Sequence, residues 1–275
     1  MISLFTRALP TVLIALSMMS VAGHATAQET IKFGAPLPLT GPLAPEALKQ
    51  KEGYDLWAET VNAAGGVDIG GKKMPVEIIY TDYQSKTPRA VQAAEQLITQ
   101  QDVNFLFAPF GSGATKAASV VSERYGMPTI AATASSSQVY DQGYKHLFGT
   151  FTPNESLTDP LSKLAVEKDP SIKRVAILAR NDLFPLAIAQ EMQKSAKARN
   201  LEVVLFEKYA INTMDHSSAL AQVKSANADW IMATGYVNDL ILLRKQMGDQ
   251  RIGAKLVTMI AGPAYQEFID ATGQG

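Results

Sequence analysis

Residues 103–131 read VNFLFAPFGSGATKAASVVSERYGMPTIA. The apolar and aromatic run at 103–108 has the composition of a strand. Pro109-Phe110-Gly111 interrupts it, and Ser112–Tyr125 carries the spacing of a helix with one apolar face. A second short apolar run at 128–131 follows. Strand, helix and strand in this order form a βαβ unit, whose parallel strands are buried on both faces by helices.

The same rhythm extends in both directions. Upstream lie strands at Ile31–Leu37 and 76–81, with helices at 46–62 and 88–101. Thr87-Pro88 reads as a helix start, with a hydroxyl cap and proline at the first helical position, and Ala64-Gly65-Gly66 reads as a helix stop. Downstream, Phe151-Thr152-Pro153-Asn154-Glu155 reads as a connector. After it come helices at 156–167, 184–199, 216–226, 238–247 and 263–271, alternating with strands at 174–179, 202–206, Trp230–Thr234 and 255–260. The fold class expected is α/β, with parallel sheets flanked by helices in two lobes, 28–150 and 151–275. A cleft between two lobes is a usual place for a small ligand.

The first 27 residues stand apart. Arg7 precedes an apolar run from 8 to 21, and Ala25-Thr26-Ala27 is the small-x-small pattern of a cleavage site, so 1–27 reads as an export signal cut after Ala27. A membrane span needs about 20 uninterrupted apolar residues; this run is shorter and contains Pro10. The 275 residues include no cysteine, which removes disulfides, thiolate metal sites and lipid attachment at the cut. Without the signal, 24 basic and 26 acidic residues remain, a net charge of −2 with no basic stripe. Nucleic acid and anionic membrane surfaces are therefore poor partners.

The residues offer little to an enzyme. His24 leaves with the signal, and His146 and His216 stand alone in polar surroundings. HExxH and GxSxG are missing, and no lysine follows Gly111-Ser112-Gly113 at P-loop spacing, so no catalytic residue, metal or cofactor is expected. The segment makes better sense as a binding element. A strand leading into Ser112, Gly113 and a helix presents free backbone N–H groups and a hydroxyl at the carboxyl end of a parallel strand, suited to a carboxylate or another electron-rich group. Thr133-Ala134-Ser135-Ser136-Ser137 follows the next strand and should lie beside it. A ligand cradle and a pair of helix caps both account for these hydroxyls.

Several stretches, in order, resemble one family. Lys32-Phe33-Gly34-Ala35-Pro36-Leu37-Pro38-Leu39-Thr40-Gly41-Pro42 looks like the opening strand and S/T-G-P turn of the branched-chain amino-acid type of periplasmic binding protein. Asn62-Ala63-Ala64-Gly65-Gly66-Val67 is similar to its N-x-x-G-G-I/V, and Tyr80-Thr81-Asp82 with Pro88 to its D-D…P. Phe110-Gly111-Ser112 is similar to its G-x-x-S-S ligand loop, and residues 229–236 to P-D-x-V-x-x-x-G-Y. The resemblance runs from Ile31 to the last residue.

It implies two Rossmann-like lobes of the type I binding-protein fold, with Ser112, Thr133 and Ser135 holding a ligand carboxylate. Phe184 and Tyr236 fall where the family has cleft aromatics, although core packing or an exposed helix start also accounts for each. Ala261 falls where the family's amino-acid binders carry a glutamate for the ligand ammonium. Either another acid substitutes, with Asp182, Asp239 and Glu46 as candidates, or the ligand has no α-amino group. Ala261, Phe184 and Tyr236 together favour an apolar or aromatic carboxylate or amide.

The function so implied is that of a monomeric periplasmic solute-binding subunit of an ABC importer. It would close over a small amino acid, amide or carboxylate and deliver it to a membrane permease with its ATPase. A ligand-sensing domain of a receptor or regulator is the alternative, and a hydrolase a further one. In the resembled family the chain returns to complete the first lobe after this point. The expectation is thus a C-terminal part missing beyond Gly275, an exposed apolar patch on the first lobe and marginal stability.

Overall fold

The computed structural model describes residues 29–273. The expected export signal lies outside the described residues. The first half contains β1 (Ile31–Leu37), α1 (Ala44–Ala63), β2 (Val67–Ile69), β3 (Lys72–Met74), β4 (Val76–Asp82), α2 (Thr87–Gln100), β5 (Phe105–Phe107), α3 (Ser112–Tyr125), β6 (Thr129–Ala131) and β7 (Leu147–Gly149). Five of these strands form one parallel sheet in the order β4-β1-β5-β6-β7. β1 is apolar on both sides because both faces are covered. Ile31, Phe33, Ala35 and Leu37 join Ala47 and Tyr54 of α1 in one core. On the other face Gly34 leaves room for Leu97 of α2 and Leu106, and a Cβ there would sit 2.8 Å from the Leu106 side chain.

The second half contains α4 (Glu155–Lys168), β8 (Arg174–Arg180), α5 (Leu183–Ala198), β9 (Glu202–Tyr209), α6 (Ser217–Ser225), β10 (Trp230–Thr234), α7 (Val237–Asp249), β11 (Leu256–Ile260) and α8 (Gln266–Thr272). Its parallel sheet runs β11-β10-β8-β9. Period-two alternation divides β8 between two cores. Val175, Ile177 and Ala179 pack with α4 and α5, whereas Ala176 and Leu178 pack with α6 and α7. Trp230 does likewise on β10, and its indole N–H donates to Thr258 Oγ1 at 2.9 Å.

Two parallel sheets with helices on both faces agree with the sequence reading, and the strand order adds something the sequence did not contain. In each sheet the connections reverse direction once, between β1 and β5 and between β8 and β10. Open α/β sheets bind ligands in the crevice at such points, beyond the carboxyl ends of the strands.

Several local expectations change. Thr87 is the first helical residue and Lys86 occupies the cap without a side-chain hydrogen bond, so Thr87 does not cap α2; Pro88 keeps its first-turn place. The helix expected at 263–271 is a 3-10 turn, Gly262–Ala264, followed by α8 after a break at Tyr265. The antiparallel pair β2–β3 and the edge strand β7 are additions. Neither histidine stands alone in polar surroundings. His146 Nδ1 lies 3.0 Å from Glu123 Oε2, and His216 is buried edge-on against the Tyr209 ring at 4.8 Å. At the free edge of the first sheet, Phe148 is 55% exposed and Phe151 47%.

Candidate functional site

A cavity of about 280 Å³ lies between the carboxyl ends of the two sheets. Glu46, Phe110, Gly111 and Thr133 line it from the first half; Phe184, Tyr236 and Ala261 line it from the second, with Phe151, Ile260 and Tyr265 at its margins. A hollow of about 380 Å³ around Asn227, Arg251 and Lys255 lies at the opposite, amino ends of β10 and β11, away from both switch points.

The first wall is made by the turn between β5 and α3. Gly111 caps α3 with φ 79° and ψ 162°, a conformation open essentially to glycine alone. A Cβ at Gly111 would sit 3.2 Å from the Tyr236 hydroxyl, so the turn also meets the second half closely. The Gly111 N–H donates to Thr133 Oγ1 at 3.1 Å, and that hydroxyl donates to Gln50 Oε1 at 3.3 Å. Thr133 is thereby fixed between the β6 end and α1, where it lines the cavity.

The other expected first-lobe residues sit behind this wall. Ser112 is fully buried as the first residue of α3, and its Oγ accepts from the Ser136 N–H at 3.2 Å. Ser135 is buried; its carbonyl accepts from the Asn154 N–H at 3.2 Å, and its hydroxyl makes no hydrogen bond within the described protein. Gly113 faces the second half, where a Cβ would stand 3.1 Å from Asp182 Oδ1. The structure therefore brings Thr133, Phe184, Tyr236 and Ala261 to one cavity, and places Ser112 and Gly113 in the first turn of α3 and Ser135 in the loop after β6, behind it.

The second wall is aromatic on its cavity side and ionic beneath. Tyr236 stands between Phe110 and Phe184, with ring centroids at 5.8 and 5.9 Å. The Arg180 guanidinium lies 4.8 Å from the Tyr236 ring centroid, within cation–π range. Arg180 Nη1 donates to Asp239 Oδ2 at 2.7 Å, and Asp182 lies 3.8 Å from Arg180 Nε. Burial, and then the negative charge of Asp182, pushes the Tyr236 hydroxyl well above its ordinary range, so this ring is neutral. Ala261 has φ 88° and ψ −47°, a strained conformation for a residue with a Cβ.

Glu46 is the site residue whose importance exceeds its sequence signal. It is only 2% exposed, in the first turn of α1. Its Oε1 accepts from the Val237 N–H at 2.7 Å, which places a first-half carboxyl on the N-terminus of α7. The positive end of a helix dipole suits an anion there. Its Oε2 is buried and makes no hydrogen bond within the described protein. Burial pushes the carboxyl up to about 7 against the opposing pull of the Val237 N–H. Tyr265 escaped the sequence reading, and Phe110 entered it only as part of the stretch that resembles the ligand loop. Its place three residues beyond the end of β5, at a switch point, is visible only once the strand order is known.

Among the described residues, no group of three His, Asp or Glu is placed to hold a metal ion, and no helix is long and apolar enough to cross a membrane. The arrangement supplies two facing walls, a few fixed polar atoms and several aromatic rings, which are the means of enclosing a small molecule.

A family profile described as periplasmic binding protein matches residues 30–275. The Leu/Ile/Val-binding protein homolog 8 of Brucella suis biovar 1 (strain 1330) is 29% identical over 265 residues, covering 93% of this chain and 64% of the relative. Its counterpart in Brucella abortus (strain 2308) is 30% identical over 253 residues, with 88% and 61% covered. The chain thus spans somewhat less than two thirds of the length of these relatives. Among solved structures, the branched-chain amino acid transporter substrate binding protein LivJ from Streptococcus pneumoniae, in complex with isoleucine, superposes with a TM-score of 0.77 at 27% identity, covering 89% of this chain and 68% of LivJ. A solute binding protein of an ABC transporter from R. palustris, in complex with benzoate, shares the fold at a TM-score of 0.73 and 21% identity, with 83% and 61% covered.

Proposed function

The chain belongs to the periplasmic binding protein family, and on that premise we propose that it is the solute-binding subunit of an ABC importer. In this reading it acts in the periplasm as a monomer after loss of residues 1–27. Lobes 28–150 and 151–275 close over a small amino acid, amide or carboxylate and present it to a membrane permease with its ATPase. The observation that carries the reading is the 280 Å³ cavity, walled by Gly111 and Thr133 from one sheet and by Phe184, Tyr236 and Ala261 from the other. It stands at both switch points at once and is close in size to small-molecule sites of about 300–1,000 Å³.

The roles follow from the chemistry of the walls. Thr133 lines the cavity from a fixed position, and behind it the buried Ser135 hydroxyl has no partner within the described protein. Ser112 and Gly113 orient that loop at the start of α3. Phe184 and Tyr236 supply apolar area from the second lobe, and Ala261 leaves space where a larger residue would fill the cavity. A ligand that touches both lobes lowers the free energy of the closed form alone, and this differential contact drives closure. Nothing in this scheme breaks a covalent bond of the ligand.

Titration calorimetry of the mature full-length protein against branched-chain and aromatic amino acids, their amides and simple carboxylates tests the proposal. Saturable one-to-one binding with the ligand recovered unchanged is expected. Absence of binding across all three classes, or chemical turnover of a bound member, would overturn it.

A further inference from the structure

Gln50 of α1 stands behind the residues that line the cavity, yet the first wall is tied to it. Its carboxamide is engaged at both ends. Oε1 accepts from Thr133 Oγ1 at 3.3 Å, and Nε2 donates to the Tyr54 hydroxyl at 2.6 Å. Tyr54 is a firm anchor, because its ring stacks on Phe107 of β5 with centroids 4.0 Å apart and planes inclined by 15°, inside the first-half core. Burial pushes its phenol up to about 12, so the partner that Gln50 meets is neutral. A long amide side chain loses much rotamer freedom when it is held in one place; here two partners hold it.

Thr133 depends on that hold. Its hydroxyl accepts from the Gly111 N–H at 3.1 Å and has one hydrogen to give, which Gln50 Oε1 receives. The two bonds together select one rotamer of a β-branched side chain. Without the Gln50 acceptor the hydroxyl is free to turn, and the Gly111 N–H loses a fixed partner. Gly111 is the residue whose φ of 79° carries the β5–α3 turn up to Tyr236, where a Cβ would stand 3.2 Å from the hydroxyl.

We propose that Gln50 is a positioning residue of the cleft: through Thr133 it holds the Gly111 turn at the setting in which the first wall meets a ligand. The inference rests on the cleft-binding reading above and adds to it a residue that touches no ligand. Glu46 and Gln50 are four positions apart and share one face of α1. The first grips the N-terminus of α7 and the second grips the binding wall, so one helix keeps the wall and the docking of the second lobe in register. A helix-stabilising i, i+4 pair accounts for the bond to Tyr54. It does not account for the bond to Thr133, which leaves the helix and spans 83 positions.

The test uses the mature full-length protein and, as probe, its tightest binder in calorimetry among L-leucine, L-phenylalanine, their amides and benzoate. Gln50→Leu and Thr133→Val should each weaken binding about three- to tenfold, the worth of one or two neutral hydrogen bonds. Because both remove the same link, the double variant should bind no more weakly than the worse single one by more than about twofold. Gln50→Glu, which returns an acceptor to Thr133, should recover affinity to within about twofold of wild type. Amide exchange followed by NMR without ligand supplies a second readout. The Gly111 N–H should exchange at least about fivefold faster in Q50L and in T133V than in wild type, whereas a role confined to the stability of α1 would leave that amide unchanged. Gln50→Met carries the same expectations where Q50L folds poorly. Wild-type affinity in Q50L, losses that multiply in the double variant, no recovery in Q50E or an unchanged Gly111 amide overturns the inference and leaves the cleft reading intact. Failure of the wild type to bind any of these probes or the wider panel defeats both.

Discussion

Glu46 and Ala261 face the same cavity and illustrate what a single side chain contributes there. The raised carboxyl of Glu46 has a consequence for stability in the absence of ligand. The folded state holds this proton up to about 7 and the unfolded chain only to about 4.5, so the folded state binds more protons between those values. Stability contributed at this position is therefore present below the unfolded pKa and lost as pH rises through the folded one. Relative to Glu46→Gln, the wild type should lose about 2–3 kcal/mol between pH 4.5 and 7.5. Urea titrations of both proteins across that window measure the difference, and parallel pH profiles would contradict it. At Ala261 the backbone stands at φ 88°, where glycine is at ease. Ala261→Gly should stabilise the fold by about 0.5–1 kcal/mol after the extra entropy of the unfolded chain is deducted, seen as a higher urea midpoint. Neither property was legible beforehand. Glu46 was visible as an acid at a helix start, but its burial is created by α7 docking from 191 residues away. The strain at Ala261 follows from a turn that the sequence reading had merged into a helix.

At the scale of elements, the alternation of strand and helix was readable because β1, β8 and β10 are apolar on both faces and the helices between them are long enough to show a period. What remained hidden were short elements without the continuous apolar run that marked the equally short β5 and β6. β2, β3 and β7 have three residues each, and the hairpin between β2 and β3 is largely polar and exposed. Thr87 was misplaced by one residue because proline is accepted anywhere in a first helical turn, so Pro88 could not fix the cap. The β5–α3 turn was legible as a binding loop; in the structure Ser112 is buried and accepts from the Ser136 N–H, while Gly111 lines the cavity. That assignment predicts an asymmetric response. Ser112→Ala removes the acceptor of one buried hydrogen bond and should cost about 1–2 kcal/mol of stability. Gly111→Ala introduces a Cβ into a glycine-only conformation 3.2 Å from the Tyr236 hydroxyl. It should cost about 1–3 kcal/mol and also weaken ligand binding, because it forces apart the walls of the cleft. Calorimetry beside urea unfolding separates the two effects; equal loss of affinity in S112A would refute the distinction.

For the molecule as a whole, the question is what holds two separately cored sheets in the arrangement seen. The bridging contacts among the described residues include Glu46 to the Val237 N–H, Asn238 Nδ2 to the Pro42 carbonyl at 3.0 Å, the Asn154 N–H to the Ser135 carbonyl at 3.2 Å, Leu183 against the cluster of Ala108, Ala134 and Val139, and the Phe110–Tyr236–Phe184 rings. Each half has its own buried clusters on both faces of its sheet, whereas these bridging contacts gather at the carboxyl ends of the two sheets. Tyr236 is central because it joins the first-half core while its backbone begins α7 in the second half. Its ring also separates Arg180 from the cavity. Tyr236→Ala removes that apolar area, uncovers the guanidinium and leaves Phe110 and Phe184 without a common partner. The expected loss of stability is about 3–5 kcal/mol if the halves unfold together, as for a large aromatic removed from a core. If they unfold separately, the cost falls on docking, and thermal unfolding of the variant keeps a transition close to that of the wild type. Small-angle scattering decides between these outcomes. Wild-type protein saturated with a ligand should contract relative to its free form, and Y236A should remain at the larger radius with ligand present. An unaltered contraction in Y236A would show that closure is carried by contacts other than this ring.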